Sequence, residues 1–410
     1  MRALTALALC ACAAFPPNDV LADGVAGAPQ PGSAELQARL DRAYEGDVVD
    51  LGGATWSGPA TIDKRVVLRA GTIDGRGQAR VLVIKATDVV LDHVTVRHSG
   101  KDLSAPDACV WIDKSATRTQ VRDSTFIDCG FGIWVDETDG TRIVRNRIVG
   151  SLTGPRSDRG NGIQLFNASH ASVLNNVVTG GRDGIYVSAT EDSVIEGNDI
   201  STTRIGVHYM FSYDNTVRNN VARANQTGFA LMGSRRIIAT ANIAEHNETH
   251  GLLFRDVEQC VIDSNRSAQN GEGLFFFSST GNRITRNQVI DNDIGAKIWA
   301  GSIRNVLSGN VFGANRQQVF YVGHDDLVLG GDGPGNFWSD YLGWDQNGDG
   351  IGDRPYRVDS FSAGLMHRFP AATLLLRSPA LELLTHLEQS LPILRVATVV
   401  DRSPLLRSVP

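Results

Sequence analysis

His208, Met210 and Met232 are the residues of this chain whose types best suit a soft metal: one imidazole and two thioethers, a donor set that fits Cu(I). His208 and Met210 are two residues apart, and Met232 follows Met210 by 22 residues. Methionine is also favoured on surfaces that repack against partners, so the same residues suit an adaptable interface. His246, His250 and His324 fall at no recognisable metal-ligand spacing. A second candidate comprises Asp345, Asn347, Asp349 and Asp353, with the Ile351 carbonyl between them. These occupy the alternate positions of a Ca²⁺ loop, with Gly350 at the sixth, where a sharp turn is needed. Tyr356 stands where the bidentate glutamate belongs. Either another acid, Asp340 or Asp359, completes the shell, or Asx hydrogen bonds hold a metal-free turn.

The interval between the methionines is the period of the chain. Gly162, Gly184, Gly206, Gly228, Gly251, Gly273 and Gly295 recur every 22 residues, once 23, and Asn176, Asn198, Asn220, Asn242, Asn265 and Asn287 each follow their glycine by 14. A repeat of this length is one supersecondary unit stacked on its neighbours. After each glycine the residues alternate, as in Gly184-Ile-Tyr-Val-Ser, and positions one and three are apolar in every unit. Ile195 with Ile200, and Ile284 with Val289, belong to a second inward column around the asparagines. The pattern predicts an all-β fold: a right-handed, single-stranded parallel β-helix of ~22-residue coils. The stacked asparagines pair their amides from coil to coil. Leucine-rich repeats share the length but not the leucine spacing.

The expected organisation is a secretory signal over 1–22, a β-helix over 33–325 whose N-terminal end is capped by a helix beginning near Ala34, an aromatic and Asp-Gly-rich segment over 326–360, and an irregular and helical tail over 361–410. Leu381, Leu384, Leu387 and Leu391 recur at helical spacing after Pro379, and that face either caps the solenoid or docks on a partner. Cys109, Cys129 and Cys260 remain after the signal, an odd number that allows at most one disulfide. A net charge of −6 with 20% charged residues lacks the basic stripe of a nucleic-acid binder. About eight extra residues between Gly132 and Gly162 predict a projecting loop near 153–159.

Positions two and four after each glycine point away from the coil. They include Trp134, Gln164, Phe166, Tyr186, His208, Met210, Met232, Leu253, Phe275, Phe277, Lys297 and Trp299, a solvent-facing apolar strip that predicts a docking face. Its only carboxylate is Asp136, which weighs against paired-carboxylate chemistry on sugars. The rival readings are a carbohydrate-active β-helix enzyme (lyase, hydrolase or epimerase) and a sugar-binding module using Trp134 and Trp299.

Asn336-Phe-Trp-Ser-Asp-Tyr, Gly348-Asp-Gly-Ile-Gly-Asp-Arg-Pro-Tyr, Arg368-Phe-Pro-Ala-Ala and Leu375-Leu-Arg-Ser-Pro-Ala-Leu-Glu-Leu-Leu are more specific. With the β-helix and the signal, the chain resembles the NosD family across nearly its whole mature length. The resemblance implies a non-enzymatic periplasmic accessory protein of an ABC transporter, held at the inner membrane by the permease NosY with its ATPase NosF. It implies a role in assembling the copper centres of nitrous oxide reductase, NosZ, with the copper chaperone NosL as donor. Transient Cu(I) and structural Ca²⁺ are the metals these readings allow.

Overall fold

The computed structural model describes residues 32–299, 301–322, 327–330, 333–359, 378, 379, 383, 387 and 397–408. The expected signal over 1–22, most of the tail, and Leu381 and Leu384 lie outside them. Among the described residues the chain is a parallel β-solenoid. One sheet has twelve strands, a single strand per coil, and the other sheet has 23 strands. The inward columns are as the alternation predicts: Ile185, Val187, Ile195 and Ile200 are all completely buried. The repeat glycine is set by close approach, since a Cβ on Gly184 would lie 2.3 Å from the Ile200 side chain and 2.7 Å from the Gly206 carbonyl oxygen.

The asparagine ladder runs unbroken from coil to coil. The Asn198 amide donates to Asn220 Oδ1 at 2.8 Å and to the Val173 carbonyl at 2.9 Å, and Asn220 repeats the pattern with Asn242 and Ile195. Coiling does not stop near residue 325: Asn310 donates to Asn336, and Asn336 donates to Asp401, which takes the next rung. Asp401 Oδ2 also accepts from Trp338 Nε1 at 3.0 Å, while Trp338 stacks between Phe312 and Tyr356. A second ladder, Asn225–Asn247–Asn270–Asn292–Asn315, lies five residues after the first, next to the following strand.

At the N-terminal end, α1 (Ser33–Arg42) buries Leu36 and Leu40 against the first coils. Gln37 treats the edge strand Ala60–Ile62 as a neighbouring strand would: its Oε1 accepts from the Thr61 amide at 2.8 Å, and its Nε2 donates to the Thr61 carbonyl at 3.1 Å. The edge is thereby covered rather than left as a template for association. Cys109 and Cys129 form the disulfide between adjacent coils, and Cys260 is buried with its thiol pushed up to about 11 by desolvation.

Replacing Asn220 with Ala strands the Asn198 amide donors and the Ile195 carbonyl inside the corner. At about 1–3 kcal/mol for each buried unsatisfied group, the variant is expected to lose about 3 kcal/mol or more in chemical denaturation.

Candidate functional site

The outer face of the twelve-stranded sheet carries the candidate residues, and parallel register sets them in straight columns. Met210 pairs with Met232 on the next strand. Tyr186, His208, Ala230, Leu253, Phe275 and Lys297 form the middle column. A third column consists of the residues just before each glycine: Asp183, Ile205, Thr227, His250, Glu272 and Ile294. These also face outward: Asp183 reaches outward-facing His208, and Ile205 packs with Ala230 and Leu253. Strict alternation would have turned them inward with positions one and three; it breaks at the glycine, where a Cβ on Gly184 would point at core residue Ile200. The outward face therefore holds two more carboxylates than Asp136.

The expected solvent-facing strip is only partly so. Phe166 and Phe277 are exposed at 38% and 39%, and Trp134, Tyr186, Met210, Met232, Phe275, Lys297 and Trp299 are half-buried. Gln164, His208 and Leu253 are buried, at 3%, 6% and 7% exposed. Side chains at about 4.8 Å spacing cover one another. The Tyr186 ring meets His208 edge-on at 4.8 Å, His250 meets Phe275 at 5.1 Å, and Ile205, Ala230 and Leu253 cluster with Met232 and Phe275.

Two charged groups interrupt this surface. Asp183, with no exposed side-chain area, accepts from Arg204 Nε at 2.8 Å and Nη2 at 2.7 Å, and its Oδ2 lies 2.9 Å from His208 Nδ1. Burial opposes ionisation of Asp183, but His208 and Arg204 outweigh it and hold the carboxyl below its ordinary range. His208 Nε2 is buried and has no hydrogen-bond partner among the described residues. In the second group Lys297 Nζ lies 2.6 Å from Glu272 Oε1, and His250 Nε2 lies 3.2 Å from Glu272 Oε2. Here too burial opposes ionisation, and the contacts with His250 and Lys297 prevail, lowering the carboxyl. The loop near 153–159 runs beside this face, where Arg156 makes a bidentate pair with Glu248, at 2.7 and 2.9 Å.

Met210 and Met232 are thus register-paired neighbours, and His208 lies two residues before Met210 on the same outward face, with its Nε2 buried and unpartnered among the described residues. That donor set fits a soft monovalent cation. In the Asp345 loop, both Asp345 oxygens accept backbone amides, from Gly348 and Asp349 on one and Gly350 on the other; Asp349 accepts from Ile351, and Asp353 from Gln346. Tyr356 donates to Asp340. These are the bonds of the Asx turn. Leu387 is helical and 42% exposed. Asp92, His93 and Asp123 lie within ligand reach of one another, but Arg122 and Arg145 bond the two acids in an open ion-pair network.

A profile of the family described as "Periplasmic copper-binding protein (NosD)" matches residues 148–343. A Pseudomonas aeruginosa protein named "Probable ABC transporter binding protein NosD" is 37% identical over 374 residues, 87% of each chain. Its Stutzerimonas stutzeri namesake is 36% identical over 375 residues, 87% of this chain and 86% of that one. Among solved structures, the A-module of an Azotobacter vinelandii mannuronan C-5 epimerase superposes with a TM-score of 0.51 at 15% identity, covering 75% of this chain and 94% of the module. A mutant tailspike of an E. coli bacteriophage gives 0.55 at 13%, covering 73% of this chain and 68% of the tailspike. At those identities the likeness is one of fold.

Glu272 generates an acid-sensitivity prediction. Its folded pKa is depressed, so its contribution is fully present above the ordinary glutamate pKa of about 4.3 and is lost as pH falls through the folded value. In thermal melts from pH 7 downward, Glu272→Gln is expected to start less stable than the parent and to lose less stability below about pH 4.3.

Proposed function

The chain belongs to the NosD family, and we propose that it is the periplasmic component of an ABC transporter of NosF and NosY that holds Cu(I) and docks the proteins exchanging it. The family is periplasmic by its description, and its curated relatives are named as transporter binding proteins. The observation that carries the copper reading is the buried, unpartnered His208 Nε2 on the same sheet face as the register-paired Met210 and Met232. Copper is cargo here, passing from the chaperone NosL toward the centres of nitrous oxide reductase, NosZ. A site with few donors and a half-buried rim suits a ligand that must leave again.

The docking reading assigns contact with reductase or chaperone to the exposed parts of the strip, Phe166 and Phe277 foremost, with half-buried Trp134, Tyr186, Phe275 and Trp299 around them. Buried Leu253 supports the strip from beneath. Leu387, together with Leu381 and Leu384, is assigned to the transporter side. Ca²⁺ at Asp345, Asn347, Asp349, Ile351 and Asp353 would stiffen a loop that hydrogen bonds already shape.

The enzyme alternative is weakened by the same geometry. Asp183 and Glu272 are the carboxylates nearest the apolar centre, and each is locked to cations and held ionised, so neither supplies a general acid. They stand four coils apart, about 19 Å, whereas paired-carboxylate glycoside chemistry needs roughly 5–9.5 Å.

Reductase purified from cells lacking this chain is expected to be copper-deficient and to recover on complementation; fully loaded reductase would overturn the assembly role. In the purified protein, Met210→Leu and Met232→Leu are each expected to weaken Cu(I) binding in a competition titration, with melting unchanged. Phe277→Asp is expected to leave Cu(I) binding intact and to weaken association with reductase or chaperone. Unchanged association would move the docking surface elsewhere.

A further inference from the structure

We propose that Asp183 and Arg204 act as a positioning pair that decides which nitrogen of His208 meets Cu(I). The inference rests on the copper reading above and adds what that reading leaves open, namely how an uncharged ring keeps its lone pair on the nitrogen left unpartnered.

The argument starts at Arg204. A guanidinium has only donors, and here its Nε and Nη2 take the two Asp183 oxygens separately, at 2.8 and 2.7 Å. With that fork in place the carboxylate is an acceptor on both oxygens. The 2.9 Å contact between Asp183 Oδ2 and His208 Nδ1 then requires the proton on Nδ1. In the neutral ring the lone pair is left on Nε2, the atom that is buried without a partner among the described residues. The other tautomer would set two acceptors against each other at 2.9 Å and bury an N–H with nothing to receive it, at about 1–3 kcal/mol for each stranded group.

Ring orientation is held as well as the tautomer. Tyr186 meets the imidazole edge-on, with 86° between the planes, and Asp183 is itself tethered by its backbone amide to Asn161 Oδ1 at 3.2 Å. Neither Asp183 nor Arg204 needs to touch the metal. Histidine ligands commonly donate their second N–H to a carboxylate, and loss of that partner typically costs 10–100-fold in affinity, as a rough guide.

Asp183→Asn gives a result that a purely structural role does not. The amide offers one acceptor where the carboxylate offers two. With its oxygen toward Arg204 Nε, the NH₂ faces His208 Nδ1, and the ring accepts there and carries its proton on Nε2, where copper would bind; with its oxygen toward His208, the NH₂ meets Arg204 Nε–H instead. The test is ¹⁵N NMR of the full-length protein labelled in histidine, with the His208 signals assigned by their loss in His208→Gln, alongside Cu(I) competition titration. Expected are an Nδ1–H ring in the parent, an Nε2–H population absent from the parent in Asp183→Asn, and Cu(I) binding weakened in that variant by up to about 10–100-fold. An Nε2–H ring in the parent overturns the inference and needs no variant to fold. Equal Cu(I) affinity in a folded Asp183→Asn protein also overturns it and leaves the copper reading standing. A parent that binds no Cu(I) overturns the copper reading itself.

Discussion

Buried polar groups at the corners of the coil are the constraint on which the rest depends. Every turn of a solenoid bends the backbone away from its own strand partners, and the groups freed there must find acceptors and donors in the next coil. Asparagine meets that need because its amide offers both at once: Asn220 accepts from the backbone and side chain of Asn198 and donates to Ile195 and Asn242. A rung is satisfied only when its neighbour stands directly above it. The ladder therefore sets register, and register sets everything carried on the strands. At the far end Asp401 accepts from Asn336 and Trp338 and so closes the series with a chain segment from outside the repeat.

Strict register has a chemical consequence. It places like positions of successive coils about 4.8 Å apart, so side chains separated by one period become neighbours. Met210 meets Met232 in this way. The same stacking also makes the outer face partly self-covering, because wide rings such as Tyr186, His250 and Phe275 close over smaller neighbours. A half-buried surface raises the cost of a stray charge, and the two charged groups on it are accordingly compact. Asp183 has Arg204 and His208, and Glu272 has Lys297 and His250. Only His208 is left with an unsatisfied ring nitrogen among the described residues of these groups.

Much of this was legible in the chain. The glycine period, the first asparagine ladder, both inward columns and the adjacency of Met210 and Met232 follow from spacing alone. The second ladder was equally visible, since Asn225, Asn247, Asn270, Asn292 and Asn315 each follow a first-ladder asparagine by five residues. Asp183 was not legible beside His208, because strict alternation turns the residue before the glycine inward with positions one and three, and only the break at the glycine turns it outward.

The amino-acid sequence alone determined the coil, its length and which residues share a column, because these depend only on period and alternation. The tertiary structure alone decided which face atoms are spent and which are free. His208 Nδ1 is taken by an acid 25 residues earlier, and its Nε2 is not taken at all. Such pairings depend on rotamers chosen where two coils meet, and no spacing along one coil encodes the direction in which a side chain settles against its neighbour.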